Sequence, residues 1–392
     1  MSRSVQAPWA WSAARWMVGA LAVAAAVQAL LCALGREGLG AAHAAEAPVA
    51  VPSSDPLRAA APQSPRAAQS VLLGVSRAGD RLVAVGERGV ILTSDDSGQH
   101  WQQAQVPVSV TLTAVHFATP QLGWAVGHSG VVLHSSDGGR HWSRQLDGQG
   151  AAQAELQAAR AAAQARDDDA SKRRLRDAER ALDEGANQPW LDVRFGSPSE
   201  GVVVGAYGAI LRTRDGGRSW QSLRGHLANP KGRHLYGIQL GVAGKLYVVG
   251  EQGSLFVSHD RGDHFDTLTT PYRGTFFGLQ AQGGQLLAYG LRGNVWRSAD
   301  EGQSWEAVST GQATTVTAGT TRPNGQVVLV DESGRALQTV PGAHGLGLTP
   351  VRVPQAFAFT GVVTAADGSL VLTGVRGTTR IPPETPLASA QP

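Results

Sequence analysis

Short runs of consecutive apolar residues, each closed by a glycine, recur along most of this chain: Leu82 to Gly86, Trp124 to Gly127, Val202 to Gly205, Leu246 to Gly250 and Leu286 to Gly290. The runs do not alternate apolar with polar positions, so both faces of each must be covered. That pattern predicts inner strands sandwiched between neighbouring sheets. After the closing glycine two residues intervene and a second glycine opens another apolar run, giving the pairs Gly86/Gly89, Gly127/Gly130, Gly205/Gly208, Gly250/Gly253 and Gly290/Gly293. The turn recurs in altered form at Val330 to Gly334 and again at Gly374/Gly377, so seven units are countable.

Five units continue into a polar cassette with Ser or Thr first, Asp third, Gly fifth and an aromatic residue eighth: Ser94 to Trp101, Ser135 to Trp142, Thr213 to Trp220, Ser258 to Phe265 and Ser298 to Trp305. Their first residues lie 41, 78, 45 and 40 positions apart, and the long interval holds an extra segment. A period of 40 to 45 residues built from strands is that of a four-stranded propeller blade. The expected fold is therefore all-β, a seven-bladed β-propeller. Within each cassette the aspartates Asp96, Asp137, Asp215, Asp260 and Asp300 should accept backbone N–H bonds in the turn between the third and fourth strands, and the glycine should take a positive φ. The aromatic residues Trp101, Trp142, Trp220, Phe265 and Trp305 should plug the hairpin base. His100, His141 and His264 precede the aromatic where Ser219 and Ser304 stand in other copies. Single histidines on separate blades lack the convergence zinc requires, so no metal is expected.

Residues 151–184 break the pattern. They are rich in alanine and charge, without Pro, Gly or β-branched residues, and strongly helix-forming. Ala152, Leu156, Ala159 and Ala163 form one apolar stripe, Leu175, Ala178 and Leu182 another, and Asp167 to Asp169 between them offer N-cap chemistry. An α-helical hairpin inserted between blades two and three (150–188) is expected, with one long helix as the alternative. It serves as a solvated spacer or as a partner-binding arm.

Ahead of the repeats, Arg3 and Arg15 precede an apolar stretch from Trp16 to Leu34 and then Ala42-His43-Ala44, a small-x-small site. Residues 1–44 read as a signal peptide, or as an uncleaved anchor, since the stretch is long enough to span a bilayer. An exported, periplasmic or lumen-equivalent location follows. Cys32 lies within this stretch behind Leu31, which does not suit lipidation, so cleavage would leave a chain without cysteine. The formal charge is +3, and loss of Arg3, Arg15, Arg36 and Glu37 would reduce it further. Such a chain has no global attraction for nucleic acid. Residues 45–69 read as a Pro/Ala-rich linker, 70–382 as the propeller and 383–392 as a disordered tail. Because the seventh unit lacks a fourth strand, Ala47 to Val51 is a candidate ring-closing strand.

In a propeller the loops between blades and the double-glycine turns share a rim. That rim presents Arg88, His128, Tyr207, Glu251, Arg292 and Arg376, joined by Lys231, Arg233 and Arg273 from loops between blades. Arg233, Arg273 and Arg292 should be near neighbours. Arg140, Arg218 and Arg261 belong to cassette turns on the opposite rim and read as turn residues.

The paired signature Gly-Trp-Ala-Val-Gly-x-x-Gly and Ser-x-Asp-Gly-Gly-x-x-Trp in residues 123–142 resembles the photosystem II stability and assembly factor family, one of the Asp-box (BNR-repeat) propellers. The resemblance covers nearly all of residues 70–380 outside the insertion. It implies a non-enzymatic factor that binds newly made reaction-centre protein through an arginine-rich patch. In bacteria without photosystems it implies an accessory to transporters of the resistance-nodulation-division type. Carried onto this chain, it makes Arg233, Arg273 and Arg292 the candidate patch, with Arg88, Arg376, Lys231, Tyr207 and His128 around it. A monomer that binds a membrane protein or membrane protein complex is expected.

The alternative is a glycoside hydrolase, because BNR propellers include sialidases. Such an enzyme needs an arginine trio, a Tyr nucleophile with a Glu partner, and an Asp acid/base in one pocket. Tyr207 and Glu251 exist here, yet the Arg-Ile-Pro motif appears only as Arg380-Ile381-Pro382, after the last repeat. No phosphate-binding glycine loop joins a strand to a helix, and no cofactor is expected.

Overall fold

A computed structural model describes residues 55–383 apart from 186 and 343–344. Seven separate antiparallel sheets follow one another along this part of the chain, six of four strands and a last one of three. The first shows the pattern: Leu72–Ala78, Arg81–Gly86, Ile91–Ser94 and Gln102–Gln103, paired in sequence order. The inner strands of the other sheets are Leu112–Phe117, Trp190–Phe195, Leu235–Leu240, Phe276–Gln282, Val316–Thr321 and Phe359–Thr364. Each lies against the inner strand before and after it, and the seventh returns to the first, closing a ring. Among the described residues no helix is long and apolar enough to cross a membrane.

The second strands are buried along their apolar runs, with only the polar leading residues Arg81 and Gln285 outside the core. The core is correspondingly a set of wedges between adjacent sheets. One wedge joins Val83, Val85 and Ile91 to Leu112, Val115 and Trp142, and another joins Val204 and Ile210 to Leu235, Ile238 and Phe256. The seam between the seventh and first sheets is narrower, with Leu82, Ala365 and Val371 at its centre.

Every inner strand slips register between its first and third residues, for example between Leu72 and Gly74. Such a bulge leaves the second residue unpaired and re-aims its side chain. The bulged residues are Leu73, Thr113, Leu191, Tyr236, Phe277, Thr317 and Thr360, and all of them line an axial cavity of about 560 Å³.

In the cassettes Trp142 and Phe265 are buried, whereas Trp101, Trp220 and Trp305 are half-buried. Asp137 Oδ1 accepts N–H bonds from Arg140 and His141 at 3.0 Å, Ser135 Oγ accepts from Gly139, and Gly139 has φ 87°. Trp142 is buried, donates its Nε1 hydrogen to Gly139 O at 3.0 Å and meets Phe117 edge-on at 6.0 Å. His100, His141 and His264 each place Nδ1 2.6 Å from their own cassette aspartate, the place that Ser219 and Ser304 hydroxyls take in other copies.

The double-glycine turn divides its work unevenly. Gly86 is in extended backbone at φ −168°, and its reason is space: a Cβ there would stand 2.1 Å from Val71 O. Gly89 needs both the left-handed φ of 75° and close approach to Val108 O.

The insertion forms two helices, α1 (Gly148–Ala165) and α2 (Asp169–Asp183), capped by Asp147 and Asp168. This overturns the single-helix alternative. The insertion packs on the propeller instead of standing off as a solvated spacer. Glu155 of α1 takes a paired hydrogen bond from Arg174 of α2 and another from the Ser222 hydroxyl of the third sheet, and Ala152, Leu156 and Ala159 are buried. The hairpin is a packed buttress on that sheet. Its stability comes from burying an apolar face, since helices this short are marginal alone.

The candidate ring-closing strand Ala47 to Val51 lies outside the described residues. What is described before the first strand runs along the first sheet's outer edge: Ala61 N–H bonds Val106 O, Ser64 N–H bonds Gln103 Oε1, and Arg144 of the second sheet reaches Leu57 O. The turn Ala67–Gln69 then packs on the seventh sheet, where Ala68 O closes on Gly377.

Replacing Trp142 by Ala should cost about 3–5 kcal/mol, read as a shifted urea midpoint at unchanged slope. The cassette aspartates set the acid limit. The hydroxyls of Ser219 and Ser304 hold Asp215 and Asp300 at about 2 against an ordinary 3.8. A depressed folded pKa gives stability that is complete above about 4 and is lost as pH falls through about 2. His264 is raised by its hydrogen bond to Asp260, so its contribution has the opposite sign: it is present below the ordinary histidine range and is lost as pH rises through the folded value. Thermal melts should therefore decline from about pH 6.5 downward, because the unfolded chain takes up a proton that buried His116 refuses until about pH 3, and fall more steeply below pH 4; an Asp215→Asn/Asp300→Asn variant should start lower at pH 7 but lose less between pH 4 and 2.

Candidate functional site

The three-residue turns Glu87–Gly89, His128–Gly130, Ala206–Gly208, Glu251–Gly253 and Leu291–Gly293 crown one rim. In each, the middle residue is left-handed without being glycine: Arg88, Ser129, Tyr207, Gln252 and Arg292, with φ of 54–57°. That conformation stands the side chain off the surface. Arg88 and Arg292 are exposed and Tyr207 is 55% exposed. The first turn residue has another task. Glu87, Glu251 and Glu332 accept the N–H of Val71, His234 and Thr315 at 2.8–3.0 Å, which fixes the chain entering each inner strand. His128, exposed, holds the same position in the second sheet.

Over the third to fifth sheets the loops between sheets interlock with these turns. Asn229 bonds both the N–H and the carbonyl of Arg233, and Arg233 Nη1 reaches Ser254 Oγ at 3.3 Å. Gly253 N–H bonds Gly274 O at 2.6 Å, and Tyr272 Oη donates to Leu291 O at 3.1 Å. Tyr207, Lys231, Arg233, Arg273 and Arg292 thus stand on one arc of touching loops. Arg88 and Arg376 occupy the turns of the first and seventh sheets and His128 that of the second, so these three share the rim without joining the arc. Arg233 differs from its expected role as a surface gripper: it is half-buried, and its Nε is buried without a hydrogen-bond partner. Sequence reasoning also missed Arg224, whose Nη2 donates to Tyr207 O at 2.7 Å and props that turn from below.

Charge is distributed unequally between the two rims. Among the described residues Arg88, Lys231, Arg233, Arg273, Arg292 and Arg376 have no carboxylate within ion-pair distance, whereas cations toward the cassette rim are neutralised: Arg81 by Asp95, Arg212 and Arg214 by Asp263, Lys245 by Glu301, Arg380 by Asp367. Arg261 pairs with Glu200, and Arg140 and Arg218 fold back onto carbonyls of their own turns. Unpaired cations on one face give that face a positive potential that draws anionic groups.

The groups a hydrolase would need do not converge. Tyr207 stands at a rim tip, the Glu251 carboxylate is engaged by His234 N–H, and Arg380 sits on the cassette rim bonded to Asp367 and Ser97 O. Among the described residues no group of His, Cys, Asp and Glu is placed to hold a metal ion.

A family model described as photosynthesis system II assembly factor YCF48 matches residues 68–163 and 176–343. The photosystem II assembly lipoprotein Ycf48 of Synechococcus sp. (strain CC9902) is 31% identical over 153 residues, 38% of this chain; the chain spans 45% of that relative's length. Among solved structures, one titled YCF48 bound to D1 peptide is 17% identical with a TM-score of 0.57, covering 86% of this chain and 99% of that one. YCF48 from Cyanidioschyzon merolae gives 15%, 0.55, 82% and 97%. A streptogramin B lyase gives 12%, 0.60, 82% and 95%. At these identities the structures establish the propeller fold alone.

The left-handed turn position predicts a separation of stability from charge. Arg292→Gly removes the cation yet suits a φ of 57° and should leave the urea midpoint within about 0.5 kcal/mol of the parent. Arg292→Val, also uncharged, should lose about 1–2 kcal/mol.

Proposed function

We propose that this chain, which belongs to the photosynthesis system II assembly factor YCF48 family, acts outside the cytoplasm as a non-enzymatic platform that holds a segment of a membrane protein during assembly of its complex. The observation that carries this reading is the set of unpaired cations on the double-glycine rim, gathered most densely over the third to fifth sheets. Cations that have no internal carboxylate are available to an external one. Arginine grips a carboxylate through two parallel hydrogen bonds, a geometry lysine cannot reproduce. The partner segment is therefore acidic or ends in a free carboxylate. Support from relatives is of the same kind: one is named a photosystem II assembly lipoprotein, and another was solved with a D1 peptide. A photosystem-type reaction-centre subunit is the partner these names favour.

The export part of the proposal rests on the apolar stretch Trp16 to Leu34 and the small-x-small site behind it. Steering by surface charge weakens with salt, because the screening length falls to about 8 Å at physiological ionic strength. Capture of the partner should therefore decline as salt rises.

The test is affinity capture from detergent-solubilised membranes of the source organism. Lys231→Glu/Arg273→Glu/Arg292→Glu should abolish recovery of the reaction-centre subunit while the thermal midpoint stays within a few degrees of the parent. Arg233 is left intact because its half-buried guanidinium makes a structural contact. Unchanged recovery, or recovery of a transporter in place of a reaction-centre subunit, would overturn the reading.

A further inference from the structure

The double-glycine rim surrounds the mouth of the axial cavity, and the bulged residues at that mouth are of two kinds. On the second, sixth and seventh inner strands they are threonines, and each hydroxyl donates to the first carbonyl of the next inner strand: Thr113 to Trp190 O at 2.7 Å, Thr317 to Phe359 O at 2.7 Å, Thr360 to Leu72 O at 2.6 Å. On the first, third, fourth and fifth they are Leu73, Leu191, Tyr236 and Phe277, partly exposed and making no such bond. Half of the mouth is thus an apolar collar. The third position of the inner strands is Gly or Ala in all but one sheet, Gly74, Ala114, Gly237, Gly278, Ala318 and Gly361, because neighbouring strands and side chains come close there: a Cβ would stand 3.2 Å from Thr113 O at Gly74, 3.0 Å from Phe277 O at Gly237 and 2.6 Å from Thr373 Oγ1 at Gly361. The exception is Asp192.

From the collar an unbroken series of ring contacts leads outward. Phe277 meets Tyr236 at 5.0 Å, Tyr236 meets His234 at 6.2 Å, and His234 meets Tyr207 at 4.9 Å. This ladder begins at the cavity and ends at the exposed turn between Lys231, Arg233 and the other arc cations. Its outer end is the most exposed large hydrophobic side chain among the described residues. An apolar track flanked by free cations is complementary to a chain segment that carries both an apolar group and negative charge.

We propose that the axial cavity is a specificity pocket for the partner segment: an extended acidic peptide lies along the aromatic ladder and sets one aromatic or large aliphatic side chain into the collar of Leu73, Leu191, Tyr236 and Phe277. The inference rests on the rim reading above and adds the anchor. The three ring-to-ring steps are matched by about four or five extended residues at roughly 3.3 Å each. The floor of the cavity explains why the anchor is apolar. Asp192 has both carboxylate oxygens engaged at 2.8 Å by the N–H groups of Val193 and Ile238, and Arg194 Nε donates to Ile238 O at 3.2 Å. The two bonds to Ile238 join the third inner strand to the fourth and hold both carboxylate oxygens of Asp192 away from a ligand together with Val193 N–H. Recognition is left to the collar, and the acidic flanks to the rim.

A random twelve-residue peptide phage library selected on the full chain is the direct probe, because it presumes no partner sequence. The expected consensus combines two or more acidic residues with one aromatic or large aliphatic position. A peptide of that consensus should bind Phe277→Ser at least about tenfold more weakly. It should weaken similarly against Leu73→Trp, which plugs the mouth without removing a rim charge, and against its own anchor-to-Ala version. Melting curves of both protein variants verify folding. Acidic peptides that show no preferred apolar position and bind both variants as the parent does would overturn the pocket while leaving the rim reading intact. Selection of peptides with no acidic bias would overturn both.

Discussion

The structure depends on how seven sheets are held edge to centre without backbone hydrogen bonds between their inner strands. Each sheet is internally complete, and adjacent inner strands splay apart, so the ring is secured by wedges of buried side chains and by individual side chains that cross each seam. Thr113, Thr317 and Thr360 cross at the bulge. Deeper in, His116 Nδ1 accepts Phe195 N–H at 3.2 Å, and Gln280 Nε2 donates to Gly319 O at 3.0 Å. Burial pushes the His116 imidazole down to about 3, which keeps it neutral and able to accept at any physiological pH. An inner-strand position therefore has two possible uses. At the bulge, which faces the cavity in every sheet, threonine also joins the ring, whereas Leu73, Leu191, Tyr236 and Phe277 leave an apolar side chain there.

That choice explains the rest of the architecture. With stability held in wedges and seam crossings, the turns and connecting loops are free to vary, and one connection carries a helical hairpin of two packed helices. The cassettes finish the outer hairpins with local hydrogen bonds that depend little on what the adjoining loops do. Left-handed non-glycine residues stand in five double-glycine turns and also at Ser97, Arg261 and Glu301 of the cassette turns and at Ala243, so both ends of the sheets accept this strain. Such positions carry a conformational cost of order 1 kcal/mol each.

The architecture was legible in the sequence because it is written in short-range signals. Unbroken apolar runs gave the second strands, glycine pairs gave the turns, and the Asp, Gly and aromatic spacing gave the hairpin closures. Asp168 as the cap of α2 was legible for the same reason. The docking of the hairpin was not, because Glu155, Arg174 and Ser222 are brought together across 67 residues by tertiary packing. The candidate arc was half legible: the shared rim followed from topology, but the burial of Arg233 depends on Asn229 and Ser254, which carry no signal of their own. The collar was missed altogether. A bulge is invisible in composition, so Leu191, Tyr236 and Phe277 read as ordinary strand residues, although the aromatic second position of two consecutive inner strands was a signal available to see.

The distribution of seam crossings around the ring is itself an argument about where the molecule can afford to bind. The seventh sheet has three strands among the described residues and meets the first across the narrowest wedge, so this seam needs reinforcement. It receives Thr360 bonded to Leu72 O, Arg380 Nε bonded to Ser97 O at 3.1 Å, and the turn Ala67–Gln69 laid over Gly377, while Thr317 ties the other side of the seventh sheet to the sixth. Across the ring, the third to fifth sheets are four-stranded and share larger wedges, and the third is buttressed by the hairpin. There the bulge carries Leu191, Tyr236 and Phe277, which give up the hydroxyl crossing and gain an exposed apolar surface. A hydroxyl that bonds the next strand is not free for a ligand, and the free cations of the rim gather over the third to fifth sheets, whose bulged residues make no such bond.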